Sequence, residues 1–214
     1  MLVRYEDNHI IIVDKDTSEI VQGDKTGDTP LSETVKQYIK EAYAKPGEVF
    51  LGVVHRLDRP VSGLVVFART SKALSRLGRM FQEGEVHKTY RALVQNRPPK
   101  DEDELVNWLV RNEQQNKSYA YDHEVPCSKK AILHYRIIRQ LDHYCMLEID
   151  LKTGRHHQIR CQLAHMGCPI KGDLKYGARR SNPDGGISLQ AYSVSFIHPV
   201  SKKPINVVSE RELK

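Results

Sequence analysis

Short apolar runs bounded by turn residues outnumber stretches of helical periodicity along this chain of 214 residues. The runs "HIIIVDK" (9–15), "VFLGVV" (49–54) and "LVVFART" (64–70) are too short and too rich in β-branched residues for helices, so strands are expected there. "VHKTYRALVQ" (86–95) predicts a strand with Val86, Lys88, Tyr90, Ala92 and Val94 on one side. "AILHYRIIRQ" (131–140) and "YCMLEIDLKT" (144–153), separated by "LDH", predict a β-hairpin, and further strands are expected near 187–197 and 204–208.

Helical spacing is found in three places. In "DTPLSETVKQYIKEAYAKPG" (28–47), Thr29 is expected as N-cap, Pro30 as the first helical residue and Pro46-Gly47 as the stop. Leu31, Val35, Tyr38, Ile39 and Ala42 would then share one buried face. Ser71 is expected to cap "KALSRLGRMFQEG" (72–84), with Leu74, Leu77 and Phe81 inward and Gly84 as a left-handed C-cap. "HHQIRCQLAHMG" (156–167) predicts a short helix ending at Gly167, while "PPKDEDE" (98–104) and "KYGARRSNPDGG" (175–186) read as loops. Strands dominate and hairpins outnumber βαβ units. The expected fold class is α+β, a mainly antiparallel mixed sheet flanked by a few helices, in a single domain over residues 1–214.

Composition narrows the class without naming it. A chain 39% hydrophobic and 28% charged is globular rather than disordered or fibrous. No apolar run approaches the roughly 18 residues of a membrane span. Arg4, Glu6 and Asp7 stand where a signal peptide would be apolar, so a cytoplasmic protein is expected, its four cysteines reduced. Net charge is +6, but it is concentrated. Residues 55–79 carry six Lys/Arg against Asp58 alone, and residues 155–180 carry six against Asp173 alone, leaving the rest at −4. Such clustering suits a polyanion partner, although basic residues that merely solvate two helical faces would give the same count.

Two segments carry candidate chemistry. "HRLDRPVSG" (55–63) places Asp58 among Arg56, Arg59 and a turn-forming Pro60, between strands that should be dry. Neighbouring guanidiniums favour an ionised carboxylate, which could serve as nucleophile or base, yet Asp also commonly orders turns. Local sequence leaves both readings open. A kinase catalytic loop is excluded, because Asp58 does not directly follow His-Arg and Gly63 stands where Asn is needed. No glycine-rich phosphate loop is present. In the second segment, His157, Cys161 and His165 share a helical face and could be metal ligands, but neither C-x-x-C nor H-E-x-x-H occurs. A buried Cys161 beside solvent- or RNA-facing histidines is the alternative. Thr153-Gly154-Arg155 leads into backbone N–H groups suited to an anion, with Arg160 one turn later.

Taken together, "HRLDRPVSGLVVFART" (55–70), "HKTYRALV" (87–94) and "LKTGRHHQIRCQLAHMGCPIKGDLKYG" (151–177) resemble, in order, the three active-site motifs of the RluA-like pseudouridine synthases. "LQAYSVSFIHP" (189–199) resembles that family's closing strand. The resemblance implies the pseudouridine synthase catalytic fold and isomerisation of uridine in ribosomal or transfer RNA, with no cofactor or metal. It implies Asp58 as catalytic aspartate, Arg160 as the arginine that keeps it ionised, and Tyr90 as the tyrosine against the flipped uracil. Arg56 matches the residue that enters the stack where the base leaves. An arginine plane offsets part of the few kcal/mol that base flipping costs. His55, Arg59, Arg155, His157, Lys171, Lys175 and Arg179 are the further expected RNA contacts.

Departures from the family pattern fall elsewhere: Val61 replaces a usual Thr, Gln190 replaces a common His, and "VDKDTSEIVQGDKTGD" (13–28) lacks the usual Lys-Pro. A short form is expected, without the small N-terminal RNA-binding domain of longer relatives and acting as a monomer with no obligate protein partner. The competing readings are a non-catalytic RNA-binding protein that keeps the fold, and a metal-dependent hydrolase on His157, Cys161 and His165.

Overall fold

The apolar runs form β-strands in the computed structural model of the chain, which describes residues 1–213. Among the described residues the strands are β1 (Leu2–Glu6), β2 (Ile10–Lys15), β3 (Gly52–Val53), β4 (Ser62–Ala68), β5 (His87–Val94), β6 (Glu102–Asn112), β7 (Lys117–Tyr121), β8 (Lys129–Gln140), β9 (Cys145–Leu151), β10 (Leu189–Ile197) and β11 (Pro204–Val208). The α-helices are α1 (Leu31–Ala42), α2 (Ser71–Glu83) and α3 (Gln158–His165). The described residues divide into two compact units: residues 1–87 with 191–211, and residues 88–190 with 212–213.

In the first unit the strands lie in the order β1-β2-β4-β10, with β11 on β10 and β3 on β4. All six residues of β2 are buried, which is why its sequence shows an unbroken Ile-Ile-Ile-Val run instead of alternation. Ile10, Ile12, Leu64, Val66 and Ala68 pack with Ala73, Leu77 and Met80 of α2. Leu74 and Phe81, expected at the centre of that helix face, are only half-buried against the cluster. Gly84 closes α2 in the left-handed conformation, φ +75°, as expected. The cap at its start is Thr70, one residue before the expected Ser71: its side chain accepts the Ala73 N–H at 3.2 Å.

The first helix, by contrast, starts one residue late, at Leu31, with Pro30 rather than Thr29 at the N-cap and no side-chain cap. A cap is unnecessary because the chain itself supplies acceptors. Leu31 N–H donates to Ile20 O at 2.7 Å and Ser32 N–H to Val21 O at 3.2 Å.

In the second unit the order is β5-β9-β8-β6-β7, antiparallel throughout. Tyr90, Ile149 and Tyr135 are cross-strand neighbours and all buried. The face carrying Leu109 and Ala131 packs with Cys161 of α3 and with Tyr176. The hairpin β6–β7 corrects the sequence reading, which placed residues 98–104 in a loop and no strand directly after it. Its first three residues are acidic, and further on both faces carry apolar side chains (Leu109 inward; Val106, Trp108 and Val110 outward), so the period-two signal is weak. The expected strand over 49–54 shrinks to Gly52–Val53. No helix among the described residues is long and apolar enough to cross a membrane.

At Gly63, where the Asp58 loop enters β4, φ is +110°, and a Cβ would overlap the Ala191 backbone of β10. Gly63→Ala is expected to lower stability by about 2–4 kcal/mol, read as a reduced urea midpoint at unchanged slope.

Candidate active site

Residues 55–61 cross from β3 to β4 with two apolar anchors, Leu57 and Val61, at 8% and 3% exposure. Between them Asp58 is half-buried, and the Val61 N–H donates to Asp58 O at 3.0 Å, closing a turn. The turn is held from beneath by Lys15, whose side chain is wholly buried at the end of β2. Its ammonium donates to Val61 O at 2.6 Å, Asp16 O at 2.9 Å and Arg59 O at 3.0 Å. Burial lowers the Lys15 pKa to about 8, and the charges of Glu19, Asp58 and Asp16 oppose that fall. Lys15 was missed in the sequence, where it is one polar residue after an apolar run; a lysine ending a wholly apolar strand was the available signal.

The other side chains of the loop divide. Arg56 is exposed and makes no ion pair among the described residues. The Arg59 guanidinium donates to Asp28 at 2.7 Å and to Thr26 Oγ1 at 2.8 Å, with Asp24 3.7 Å away. His55 stacks on Phe81 with centroids 4.7 Å apart, and its Nε2 accepts the Val66 N–H at 3.0 Å. That nitrogen is therefore unprotonated, and the ring ties the loop to β4. Within this unit, then, His55 and Arg59 have internal partners that the expectation of RNA contacts did not include.

In the second unit Tyr90 is 7% exposed on β5, its strand partner being Ile149. Lys88 lies two residues earlier on the same face, and burial lowers its pKa. Its ammonium is close to Gly154, since a Cβ there would lie 4.0 Å from it.

Arg160 is 5% exposed and bidentate to Asp173, Nε to Oδ2 at 2.7 Å and Nη2 to Oδ1 at 2.9 Å. Its Nη1 donates to His157 Nε2 at 3.1 Å. Arginine has no acceptor, so His157 carries its proton on Nδ1, which donates to Tyr176 Oη at 3.0 Å. The same Oη accepts the Ser118 N–H at 2.8 Å, and burial raises the Tyr176 pKa. His157 is thus a buried member of this network and not solvent-facing, which corrects the sequence reading. Asp173 was also missed, although it is the lone acid of a basic stretch, which was the signal.

The loop before α3 differs from expectation too. The Arg155 N–H, expected to be open to an anion, donates to Gln158 Oε1 at 3.0 Å. Gln158 is buried, accepts from Thr153 Oγ1 at 2.8 Å and donates to Ile132 O at 3.1 Å, so it clasps the loop to β8. The Arg155 side chain remains exposed, its Nε on Lys130 O at 3.0 Å. Lys171 lies over Tyr144, Lys175 donates to Asn116 O at 3.1 Å, and Arg179 is exposed. Cys161 donates to Ser118 O and His165 meets Asp122, so His157, Cys161 and His165 each have separate partners. Val61 and Gln190, the two side-chain departures, are both buried.

A profile of the family described as RNA pseudouridylate synthase matches residues 9–165, a span that includes Asp58, Tyr90 and Arg160. The chain belongs to the RNA pseudouridylate synthase family. An uncharacterized RNA pseudouridine synthase of Chloroflexus aurantiacus is 40% identical over 156 residues, covering 72% of this chain and 48% of the relative. The ribosomal large subunit pseudouridine synthase D of Xylella fastidiosa is 30% identical over 220 residues, covering 97% and 65%. The chain therefore spans about half to two thirds of the length of these relatives. Among solved structures, human RNA pseudouridylate synthase domain containing 4 matches with a TM-score of 0.81 at 19% identity, over 99% of this chain and 88% of that one. Human RNA pseudouridylate synthase domain containing 1 matches with a TM-score of 0.75 at 20% identity, over 98% and 83%. The α+β pseudouridine synthase fold expected from the motifs is the fold observed.

Two measurements probe the polar supports of this family member. Lys15→Met leaves three backbone carbonyls without their donor and is expected to cost about 2–4 kcal/mol in chemical denaturation. Between pH 8 and the unfolded value near 10.5 the unfolded wild type binds more protons than the folded one, so its stability rises with pH there. Lys15→Met should lack that rise. Asp173→Asn removes the carboxylate that holds Arg160 in a fork and is expected to cost about 2–4 kcal/mol, read as a lowered thermal midpoint.

Proposed function

We propose that this chain isomerises uridine to pseudouridine in RNA, with residues 1–214 acting as one catalytic domain. The observation that carries the reading is the family match over residues 9–165, which holds all three motif residues, Asp58, Tyr90 and Arg160. In the reaction the C1′–N1 bond breaks, the base turns, C1′ bonds to C5, and the C5 proton leaves while N1 gains one. Asp58 is the reacting carboxylate, in the turn that Lys15 holds rigid. Arg160 matches the family's arginine partner of that aspartate, and its buried geometry, fixed by Asp173, suits a positioning role. Tyr90 lies against the flipped uracil and takes the C5 proton. Arg56, exposed on the loop, enters the stack that the base vacates. No cofactor or metal takes part.

The substrate is a uridine of large-subunit ribosomal RNA, the class in the name of the Xylella fastidiosa relative, or of transfer RNA. Arg155, Lys171, Lys175 and Arg179 contact its phosphates, so affinity falls with salt. His55, Arg59 and His157 act beside them through the loops they hold. The protein works as a cytoplasmic monomer without an obligate protein partner.

Mapping pseudouridines in ribosomal and transfer RNA from a gene-deletion strain tests the reading. One site should vanish, return with the wild-type gene and stay absent with Asp58→Asn. In vitro, Asp58→Asn should lower turnover by about a thousandfold or more with RNA affinity unchanged. An unaltered map together with intact RNA binding would support the non-catalytic RNA-binding reading instead.

A further inference from the structure

One face of the second unit's sheet carries an aromatic and basic strip that the isomerase reading does not use. Strand register places Tyr121 of β7, Trp108 of β6 and Lys130 of β8 side by side, and Tyr119 beside Val110 one step along. These side chains project away from the face of Leu109 and Ala120, which packs with Cys161 and Ala164 of α3. Tyr119 and Tyr121 are 38% and 39% exposed on β7, the strand at the end of the sheet. Cations frame the rings: Lys130 Nζ lies 5.9 Å from the centre of the Trp108 ring, and Lys117 Nζ lies 5.4 Å from that of Tyr119. The strip is continuous with the loop before α3, because the Arg155 guanidinium donates to the carbonyl of Lys130.

We propose that Trp108, Tyr119 and Tyr121 form a stacking platform for unpaired bases of the RNA, with Lys117, Lys130 and Arg155 taking the flanking phosphates. The chemistry argues for this occupant. Flat rings set among cations bind any base through its π-face while the charges follow the backbone, and a duplex, with its bases already stacked, gains nothing from the rings. A protein partner would want a drier patch with fewer lysines at its centre. The identity of the polyanion as RNA rests on the proposed function. The platform itself rests on the geometry of β6, β7 and β8.

Trp108 is the only tryptophan of the chain, so its fluorescence reports on this surface alone. The full-length protein would be titrated with a single-stranded adenosine 12-mer, with the same strand in a duplex, and with inorganic polyphosphate. Saturable quenching by the single strand, and little by the other two, is expected. Tyr119→Ala/Tyr121→Ala should weaken that binding about tenfold at unchanged thermal midpoint, and Tyr119→Phe/Tyr121→Phe should restore it, because the rings and not the hydroxyls do the stacking. Lys130→Gln should lower the salt dependence of binding. Absence of quenching by the single strand, or equal quenching by polyphosphate, overturns the proposal. So does a protein that shields Trp108 and is lost with the double alanine variant while RNA leaves the fluorescence unchanged. Quenching by RNA in a protein that modifies no uridine would instead overturn the proposed isomerase and leave the platform standing.

Discussion

A buried ammonium fixes the loop on which the rest of the chemistry depends. Lys15 sits at zero exposure with three carbonyl acceptors, two of them, Arg59 and Val61, flanking Pro60 in the turn that begins at Asp58. A lysine is costly to bury, and the cost is visible in its pKa near 8. What offsets it is local: three carbonyl acceptors, and acids at positions 16, 19 and 58. The arrangement over-determines the backbone around Asp58. The Ser18 N–H adds a fourth bond, to Arg59 O at 3.1 Å, and Gly63 permits the close approach to β10 with which the loop ends. In the proposed reaction, a carboxylate that meets a flipped nucleotide benefits from a backbone that cannot yield to it.

The second unit solves a similar problem with an arginine. A buried guanidinium has five donors to satisfy and a single orientation in which it can do so. Asp173 takes two of them in a fork, and His157 takes one, which in turn sets its tautomer and engages Tyr176. The chain from Asp173 to Ser118 is thus a sequence of forced choices, each proton placement following from the one before. It also explains why His157 adopts φ +51° at the N-cap of α3: the ring has to reach both Arg160 and Tyr176.

The sequence showed some of this and hid the rest for identifiable reasons. The strands of wholly buried β-branched residues and the glycine at the end of α2 were legible, because period and φ preference are local properties. Asp58, Tyr90 and Arg160 were singled out through resemblance, and all three lie within the span that the family profile matches. Lys15, Asp173 and Gln158 were not, since the role of each depends on atoms that are 5 to 46 residues away in the chain. The internal partners of His55 and His157 were hidden for the same reason: His55 holds a backbone amide of β4, and His157 lies inside a buried network. The start of α1 was misplaced by a residue because carbonyls of residues 20 and 21 replace a cap.

The missed hairpin β6–β7 has a different cause. Alternation is visible in a sequence only when one face is dry and the other polar. Here the face toward α3 is apolar because it is buried, and the opposite face carries Val106, Trp108 and Val110 although it is not. Val106, Trp108 and Val110 are only half-buried there, and exposed tyrosines next to lysines add little to stability. Their presence on a short edge strand is better explained by what they can bind than by what they hold together, and that is why the segment least readable for fold carries the clearest surface for a ligand.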